Sequence, residues 1–352
     1  MQARKSDDDM EYLFDKQVEP GELIEVADGV LWLTMPLPFE LDHINLYLIR
    51  GEGGWVVVDT GIGTSTTKSL WELIFKQLDG PVVGVIVTHL HPDHVGLAGW
   101  IADTYNVPFY MSQTEYFTAR AFAAGRNGAT NERDVQYYQR AGLDEAMIAK
   151  LTSGDGNGFS SVVSPLPISY IRLKHGMTLS LGDNEWQVII GRGHSPEHAC
   201  LYNEKKNILI SGDHILPIIT PNIGAYSTEP DANTLNDYLG TLTQFKNLPK
   251  NTTVLPAHKL PFIGLHERVD SLIAHHHEHL KALLSSCEQP QTLVDLLPVM
   301  FKRKLSSRNM VFAVAECMSH LNYLLNEGAI SRTLNSKGVY TFKAREVKKL
   351  AC

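Results

Sequence analysis

The stretch THLHPDHVG, from Thr88 to Gly96, decides how the rest of the sequence is interpreted, because it places three imidazoles and one carboxylate within six consecutive residues. The apolar run 82–87 comes directly before it, which is typical of a buried β-strand. A strand that ends in a polar turn presents side chains at the carboxyl edge of a sheet, where ligands usually bind in layered α/β folds. Histidine nitrogen and aspartate oxygen are common ligands of zinc and related ions. The stretch therefore predicts a metal site.

The spacing within the stretch divides its ligands into two pairs. His89 and His91 are two residues apart and can converge on one ion, whereas Asp93 and His94 follow Pro92 and can face a second ion. The competing interpretations are a polar loop that is rich in histidine by chance, or a single structural metal. We favour two ions, because the pattern His-x-His-x-Asp-His is far more specific than a lone His-x-His.

This stretch resembles the central motif of the metallo-β-lactamase-fold hydrolases, and the other motifs of that family follow in order. Each candidate ligand comes directly after an apolar run, which is the local context that the fold requires. The motifs are Asp59 in WVVVDTG (55–61), His194 in GHSPEH (193–198), Asp213 after ILISG (208–212) and His258 after VLPA (254–257). The resemblance covers roughly residues 22 to 285.

The resemblance implies an α/β fold, the four-layer αββα sandwich, and a dinuclear metal site. One ion, by this resemblance, takes His89, His91 and His194, the other takes Asp93, His94 and His258, and Asp213 bridges them. The implied cofactors are two zinc ions per chain, with iron or manganese as alternatives. Coordination lowers the pKa of bound water and so supplies a hydroxide nucleophile at neutral pH. Asp59 is then a residue that orients a histidine ligand, and Asp93 passes a proton to the leaving group.

One departure from the family pattern lies beside a ligand. The sequence GRGH (191–194) replaces the Pro-Gly-His that is common in glyoxalase-like members. Arg192 is thus a candidate for binding a carboxylate or phosphate of the substrate, and a surface ion pair is an equally good interpretation.

Composition and charge limit the classes of partner. The chain has 352 residues, of which 43% are hydrophobic and 20% charged, as in ordinary globular proteins. A formal net charge of -8 disfavours nucleic acid as the default partner. The four cysteines are scattered with no Cys-x-x-Cys, so they indicate reduced thiols. No run approaches the roughly 18 to 20 apolar residues of a membrane span, and we expect a cytoplasmic protein.

Three segments are predicted from the pattern of apolar runs. Residues 1–20 form a polar arm, residues 21–287 form the catalytic domain with a helical insertion at about 112–170, and residues 288–352 form a C-terminal domain. Predicted helices include 66–78, with Ser65 or Thr66 as its cap, then 131–151 and 262–287. The run His275–His279 lies on the last of these, and we interpret it as a solvated face.

The C-terminal domain resembles a winged helix, because two helices, 292–303 and 307–327, precede a hairpin of 330–334 with 339–342. A docking or dimerising module is the favoured interpretation, since the second helix is too apolar to face a nucleic-acid groove. A nucleic-acid interface is the alternative. It depends on a set of basic residues: Lys302, Arg303, Lys304, Arg308, Lys343, Arg345, Lys348 and Lys349.

Candidate substrate contacts come from two places outside the metal motifs. The helical insertion supplies aromatic residues, among them Tyr116, which either wall a pocket or form plain core. A loop rich in Pro and Gly follows Asp213 and supplies Asn222 and Tyr226.

The leading hypothesis is a dinuclear metal hydrolase for a small carbonyl substrate, a thioester or a lactone, as in the glyoxalase-II-like and lactonase-like branches of the family. A nuclease or phosphodiesterase with the same metal core is the second hypothesis, and the acidic charge counts against it. An iron-dependent redox member is the third, because the same ligand set accommodates iron.

Overall fold

The structure is a computed structural model that describes residues 10–38, 41–125, 132–153 and 158–345. Two compact units are formed by the chain. Unit 1 contains Met1–Asn127, Asn157–Pro221 and Thr241–Val269; unit 2 contains Gly128–Gly156, Asn222–Gly240 and Asp270–Cys352. The domain limits predicted from the sequence, at 20, 112, 170 and 288, stay a prediction.

Unit 1 contains two seven-stranded sheets. The first has its strands in chain order: β2 (Ile24–Ala27), β3 (Val30–Pro36), β4 (His43–Gly51), β5 (Gly54–Val58), β6 (Val82–Ile86), β7 (Phe109–Ser112) and β8 (Ile171–Leu173). The second has the order β1-β14-β13-β12-β11-β10-β9, with β1 (Glu11–Tyr12), β9 (Thr178–Leu181), β10 (Asn184–Gly191), β11 (His198–Asn203), β12 (Ile208–Gly212), β13 (Thr253–Pro256) and β14 (Phe262–Ile263).

The two sheets pack face to face over an apolar core. Trp32, Tyr47 and Val58 of the first sheet share one buried cluster with Trp186 and Leu201 of the second. The outer face of the first sheet carries a second core, in which helices cover β3 to β7. The predicted α/β sandwich is therefore confirmed.

Parallel pairing brings the chemically important turns to common edges. β5 is parallel to β6, and β12 is parallel to β13. The carboxyl ends of neighbouring parallel strands meet at one edge of a sheet, and the turns after these four strands carry Asp59, the stretch 88–96, Asp213 and His258.

The helices are α1 (Ser65–Gln77), α2 (Pro92–Val95), α3 (Ala98–Tyr105), α4 (Gln113–Ala123), α5 (Glu132–Ala141), α6 (Glu145–Thr152), α7 (Thr234–Leu242), α8 (Leu265–Ser286), α9 (Leu293–Met300) and α10 (Ser307–Asn326), with a 3-10 helix at Thr243–Asn247. None of the helices in the described ranges is both long and apolar enough to cross a bilayer.

Several predicted boundaries are wrong for local reasons. The predicted helix 131–151 is two helices, α5 and α6, because Gly142 between them has a left-handed φ of 94°; its first residue, Asn131, lies outside the described residues. The predicted helix 262–287 begins only at Leu265, after β14 and Gly264. Helix α1 is capped by Thr64 rather than by Ser65 or Thr66, since the Thr64 side chain accepts from the Thr67 amide.

The described part of the predicted N-terminal arm packs within unit 1. Residues 11 and 12 pair with Ile263 and Phe262 as strand β1 of the second sheet. Met10 and Val18 are buried as well, with exposed fractions of 0% and 3%. Apolar side chains spaced along this polar segment hold it against unit 1.

Unit 2 contains the predicted hairpin, which is confirmed by the pairing of β16 (Ile330–Leu334) with β17 (Tyr340–Ala344). A third strand, β15 (Gln291–Thr292), adds to the other side of β17. Helix α9 starts directly afterwards with a capping box of Thr292 and Asp295. The winged-helix assignment itself stays a prediction, and Lys348 and Lys349 lie outside the described residues.

The histidine run of α8 is only in part the solvated face that the sequence predicted, because His277 is exposed whereas His276 is not. His276 is fully buried, and its Nδ1 lies 3.1 Å from Nε2 of His320 on α10. His320 Nδ1 donates to the Glu316 carbonyl oxygen at 2.8 Å, so the Nε2 of that ring is the acceptor. Burial lowers the pKa of His276 to about 2 and that of His320 to about 3, which keeps both rings neutral.

Glu316 on α10 is a buried acid, and it predicts a pH effect on stability. Burial raises its pKa from 4.5 to about 7, although Asn222 donates to its Oε2 at 2.9 Å. Below pH 4.5 both folded and unfolded forms hold the proton; between about 4.5 and about 7 only the unfolded form has released it, so stability falls over this range and the loss is complete above about pH 7. We expect Glu316→Gln to match the wild type in urea unfolding at about pH 4 and to exceed it at pH 8 by on the order of 3 kcal/mol. Equal stabilities at pH 8 would contradict the assignment.

Candidate metal centre

The seven predicted ligands lie together in unit 1, although residues 89 and 258 are far apart in the sequence. His89, His91, Asp93 and His94 follow β6 of the first sheet, whereas His194, Asp213 and His258 follow β10, β12 and β13 of the second. The ligands thus come from both sheets. Their role as metal ligands stays a prediction.

The first group of four side chains has the geometry of a metal site. His89, His91, His194 and Asp213 each offer one ligand atom, and these atoms lie within 4.8 Å of one another. His89 Nε2 and His91 Nδ1 are 2.9 Å apart, and His194 Nε2 is 3.4 Å from Asp213 Oδ2.

The second group lies next to Asp213 of the first. Ligand atoms of Asp93, His94 and His258 also lie within 4.8 Å of one another. The other carboxylate oxygen of Asp213, Oδ1, lies 3.6 Å from His94 Nε2 and 3.4 Å from His258 Nε2. Asp213 therefore directs one oxygen to each group, as a bridging ligand does.

These distances fit metal coordination better than hydrogen bonding. Separations of 3.4 to 3.6 Å are long for hydrogen bonds, and His94 Nε2 and Asp213 Oδ1 are buried with no hydrogen-bond partner. Two ligand atoms that each lie about 2.1 Å from a tetrahedral ion are about 3.4 Å apart. The residues present thus fit a divalent metal ion, which would satisfy both buried atoms.

Outer partners fix which nitrogen of each ring faces the centre. His258 Nδ1 donates to the His43 carbonyl oxygen at 2.9 Å, so its Nε2 is left for a metal. His94 Nδ1 lies 2.8 Å from Asp59 Oδ2 and donates to that carboxylate. The same carboxylate accepts from the amide and the hydroxyl of Thr88, both at 2.8 Å. Asp59, which has a left-handed φ of 60°, thus ties the histidine stretch to the turn after β5.

This arrangement predicts the effect of replacing Asp59 by asparagine. The amide can still accept from Thr88, but its NH2 group would face the His94 N–H and favour the wrong tautomer of that ring. We expect metal affinity to fall about 10- to 100-fold while the protein stays folded. Chelator competition on the purified variant measures the metal affinity. An affinity equal to that of the wild type would show that Asp59 does not orient His94.

Burial and neighbouring charges shift the pKa values of two of the histidines, His91 and His94, in opposite directions. Burial and then His194 lower the pKa of His91 to about 3, which keeps this ring neutral and able to coordinate. Burial also opposes charge on His94, but the carboxylates of Asp59, Asp213 and Asp93 outweigh it and raise the pKa of this imidazole well above its ordinary value. A metal ion that binds there must displace a proton.

Two residues at the centre were not predicted from the sequence. His198 Nε2 accepts from the Asp213 amide at 3.1 Å and so holds the bridging residue in place. A Cβ at Gly212 would lie 2.6 Å from this ring, so the glycine permits the close approach. Glu115, at the start of α4, accepts from the amides of Leu90 and Glu197. The second histidine of GHSPEH was a signal for His198, whereas no local signal marks Glu115.

The predicted substrate-contact residues lie in different environments. Tyr116 is 1% exposed, and its hydroxyl lies 2.7 Å from the carbonyl oxygens of Pro167 and Ile168, which places it in the core of unit 1. Arg192 is exposed in unit 1. In unit 2, the Tyr226 hydroxyl donates to Asn222 Oδ1 at 2.7 Å. Substrate contact by Arg192, Asn222 and Tyr226 stays a prediction.

Comparison with known proteins gives consistent matches over both parts of the chain. The metallo-beta-lactamase superfamily profile matches residues 40–258, and the profile of a metallo-beta-lactamase-like C-terminal domain matches residues 280–345. A solved beta-lactamase domain protein from Burkholderia ambifaria is 38% identical, with a TM-score of 0.89 over 96% of this chain and 98% of its own.

Two curated relatives carry functional names. The probable metallo-hydrolase YqjP of Bacillus subtilis is 23% identical over 89% of this chain and 98% of its own length. Acyl-coenzyme A thioesterase MBLAC2 of Homo sapiens is 26% identical over 66% of this chain and 79% of its own.

Proposed function

This chain belongs to the metallo-beta-lactamase superfamily, and we propose that it is a dinuclear metal-dependent hydrolase for a small carbonyl substrate, with a thioester as first choice and a lactone as second. The observation that carries the proposal is Asp213, whose two oxygens each face one group of histidines. The nitrogen and carboxylate donors suit two zinc ions, and they also accept iron or manganese.

The proposed reaction divides the work between the ions and the side chains. When bound, the ions supply Lewis acidity and activate water as a nucleophile at neutral pH. Of the first group, His89, His91 and His194 would hold one ion, and Asp93, His94 and His258 would hold the other. Asp93 Oδ2 lies 3.5 Å from His258 Nε2, and the Asp93 side chain keeps 16% of its surface exposed. This carboxylate is therefore the group that can pass a proton to a departing thiol or alcohol.

The thioester preference draws its support from the named relatives. Two relatives bear hydrolase names, and the human one is called an acyl-coenzyme A thioesterase. Hydrolysis needs no serine or cysteine nucleophile when a metal activates water. In line with this, the cysteines that the structure describes, Cys200, Cys287 and Cys317, are all buried.

A substrate panel tests the proposal. Purified protein is incubated with acyl thioesters, lactones and phosphodiesters, and its metal content is measured without added metal. We expect thioester hydrolysis that depends on zinc and disappears on chelation. Fast phosphodiester hydrolysis without thioester turnover would favour a nuclease, while bound iron with oxygen consumption would favour a redox enzyme.

The C-terminal domain gives a further prediction, because we propose that it docks or dimerises rather than binds nucleic acid. Lys302, Arg303 and Lys304 are exposed in unit 2. Reversal of these three charges should change turnover of small substrates by less than about two-fold, since exposed charges contribute little.

The same charge-reversal variant distinguishes docking from nucleic-acid binding by the C-terminal domain. Docking would be contradicted if the wild-type protein binds RNA tightly and with strong salt dependence and the charge-reversal variant does not. Such salt dependence is expected because phosphate contacts release counterions. Size measurement in solution tests the homodimer that we include in this proposal.

A further inference from the structure

Glu115 lies at the point where two ligand-bearing loops meet, and it is not itself among the candidate ligands. The residue is fully buried at the start of α4. Its Oε2 accepts from the Leu90 amide at 2.9 Å, and its Oε1 accepts from the Glu197 amide at 2.7 Å. Leu90 separates His89 from His91, and Glu197 is three residues after His194. One carboxylate thus joins the loop of the first sheet to the loop of the second.

Neighbouring residues hold the second loop at the same place. The Ser112 hydroxyl donates to the Glu197 carbonyl oxygen at 2.7 Å, and the Thr114 amide donates to Glu197 Oε2 at 2.8 Å. The end of β7 and the start of α4 therefore make three hydrogen bonds to Glu197, and the Glu115 bond to Leu90 is the only one of the four that continues to the histidine stretch.

We propose that Glu115 is a positioning residue that fixes the distance between the His89–His91 pair and His194, and thereby sets the affinity for the first of the two ions. The proposal rests on the metal centre of the proposed function but not on its substrate. The second group is held by other bonds, from Asp59 to His94 and from the His43 carbonyl oxygen to His258. Loss of Glu115 should therefore affect one ion more than the other.

The carboxylate form is needed because both of its oxygens accept from backbone amides. Bonds from N–H groups to an ionised acceptor are stronger than neutral ones. In Glu115→Gln one oxygen becomes an NH2 group that faces a backbone N–H, so one loop loses its partner and a buried amide is left unsatisfied. Loss of an outer partner of this kind typically lowers metal affinity about 10- to 100-fold.

The experiment is a stepwise titration of metal-free full-length protein with Zn²⁺ against a chelating indicator, repeated with Co²⁺ to record the absorption of each site. For Glu115→Gln we expect one binding step to weaken about 10- to 100-fold, with an altered Co²⁺ spectrum for that step, and the other step to stay within about three-fold. The matched control is Asp144→Asn, because Asp144 also accepts from a backbone amide at a helix start, at 2.7 Å from Met147 N, but in unit 2. Because asparagine caps a helix about as well as aspartate, this variant should stay folded and change neither step.

Two results would overturn the proposal: both steps in Glu115→Gln equal to those of the wild type, or both weakened to the same degree. If Glu115→Gln does not fold, the test is made with Ser112→Ala, which removes one hydrogen bond to the Glu197 loop. This variant should weaken the same single binding step several-fold. Unchanged binding in it would also overturn the proposal. Failure of the proposed function has a different signature, because the wild-type protein would then bind no Zn²⁺ or would hydrolyse no carbonyl substrate.

Discussion

Replacement of Asp213 by alanine should deprive the protein of both ions and lower its hydrolytic turnover about 100-fold or more. The reason is that Asp213 Oδ2 lies 3.4 Å from His194 in one group and Oδ1 lies 3.4 Å from His258 in the other. Elemental analysis of the purified variant, together with its rate on the best substrate of the panel, measures the effect.

The fold should survive this substitution, so that loss of metal can be assigned to the side chain. The bond to His198 comes from the backbone amide of Asp213, which alanine retains. Asp79→Ala is a suitable control, because it removes an exposed carboxylate in unit 1 that pairs with Arg50. This control should keep its full metal content. A full complement of metal in Asp213→Ala would refute the bridging role.

Asp93→Asn should retain the fold but lose about 10²- to 10⁴-fold in turnover, which is the usual contribution of a positioned proton donor. The change keeps the volume of the side chain and removes its charge and its proton. Burial opposes ionisation of Asp93, but His94 and His258 lower the pKa of this carboxyl, so it is ionised at neutral pH and must gain a proton during the reaction.

The choice of leaving group gives this prediction a sharper readout. A substrate whose leaving thiol has a low pKa needs little help from a proton donor, whereas an alkyl thiol needs much. The defect of Asp93→Asn should therefore be large for alkyl thioesters and small for aryl thioesters. The same loss for both classes would indicate a ligand without a proton-transfer role, and wild-type turnover would exclude Asp93 from the mechanism.

The elements around the centre could be predicted because each ligand follows its own strand signal. The runs before Asp59, His89, Asp213 and His258 are short and apolar, and such runs favour buried strands. Parallel pairing of β5 with β6 and of β12 with β13 then places the following turns at common edges. Local sequence and simple topology were sufficient for this part of the molecule.

Other features depend on partners that are distant in the sequence. Glu115 is an acid near the start of a helix. No neighbouring residue in the sequence indicates that its carboxylate oxygens accept hydrogen bonds from the amides of Leu90 and Glu197. His276 looks like part of a polar run, yet it is buried because His320 on α10 supplies a hydrogen-bond partner. Such burial is decided by tertiary packing and leaves no periodic signal in the sequence.

The origin of the ligands in both sheets makes each ion a cross-link. The first ion would join the turn after β6 to the turns after β10 and β12, and the second would join the same β6 turn to the turn after β13. An ion at 100 times its dissociation constant stabilises the folded form by about 2.7 kcal/mol, provided that the unfolded chain does not bind it. The two sheets would thus be joined by the proposed ions, so that the supply of metal would govern the stability of the folded protein as well as its activity.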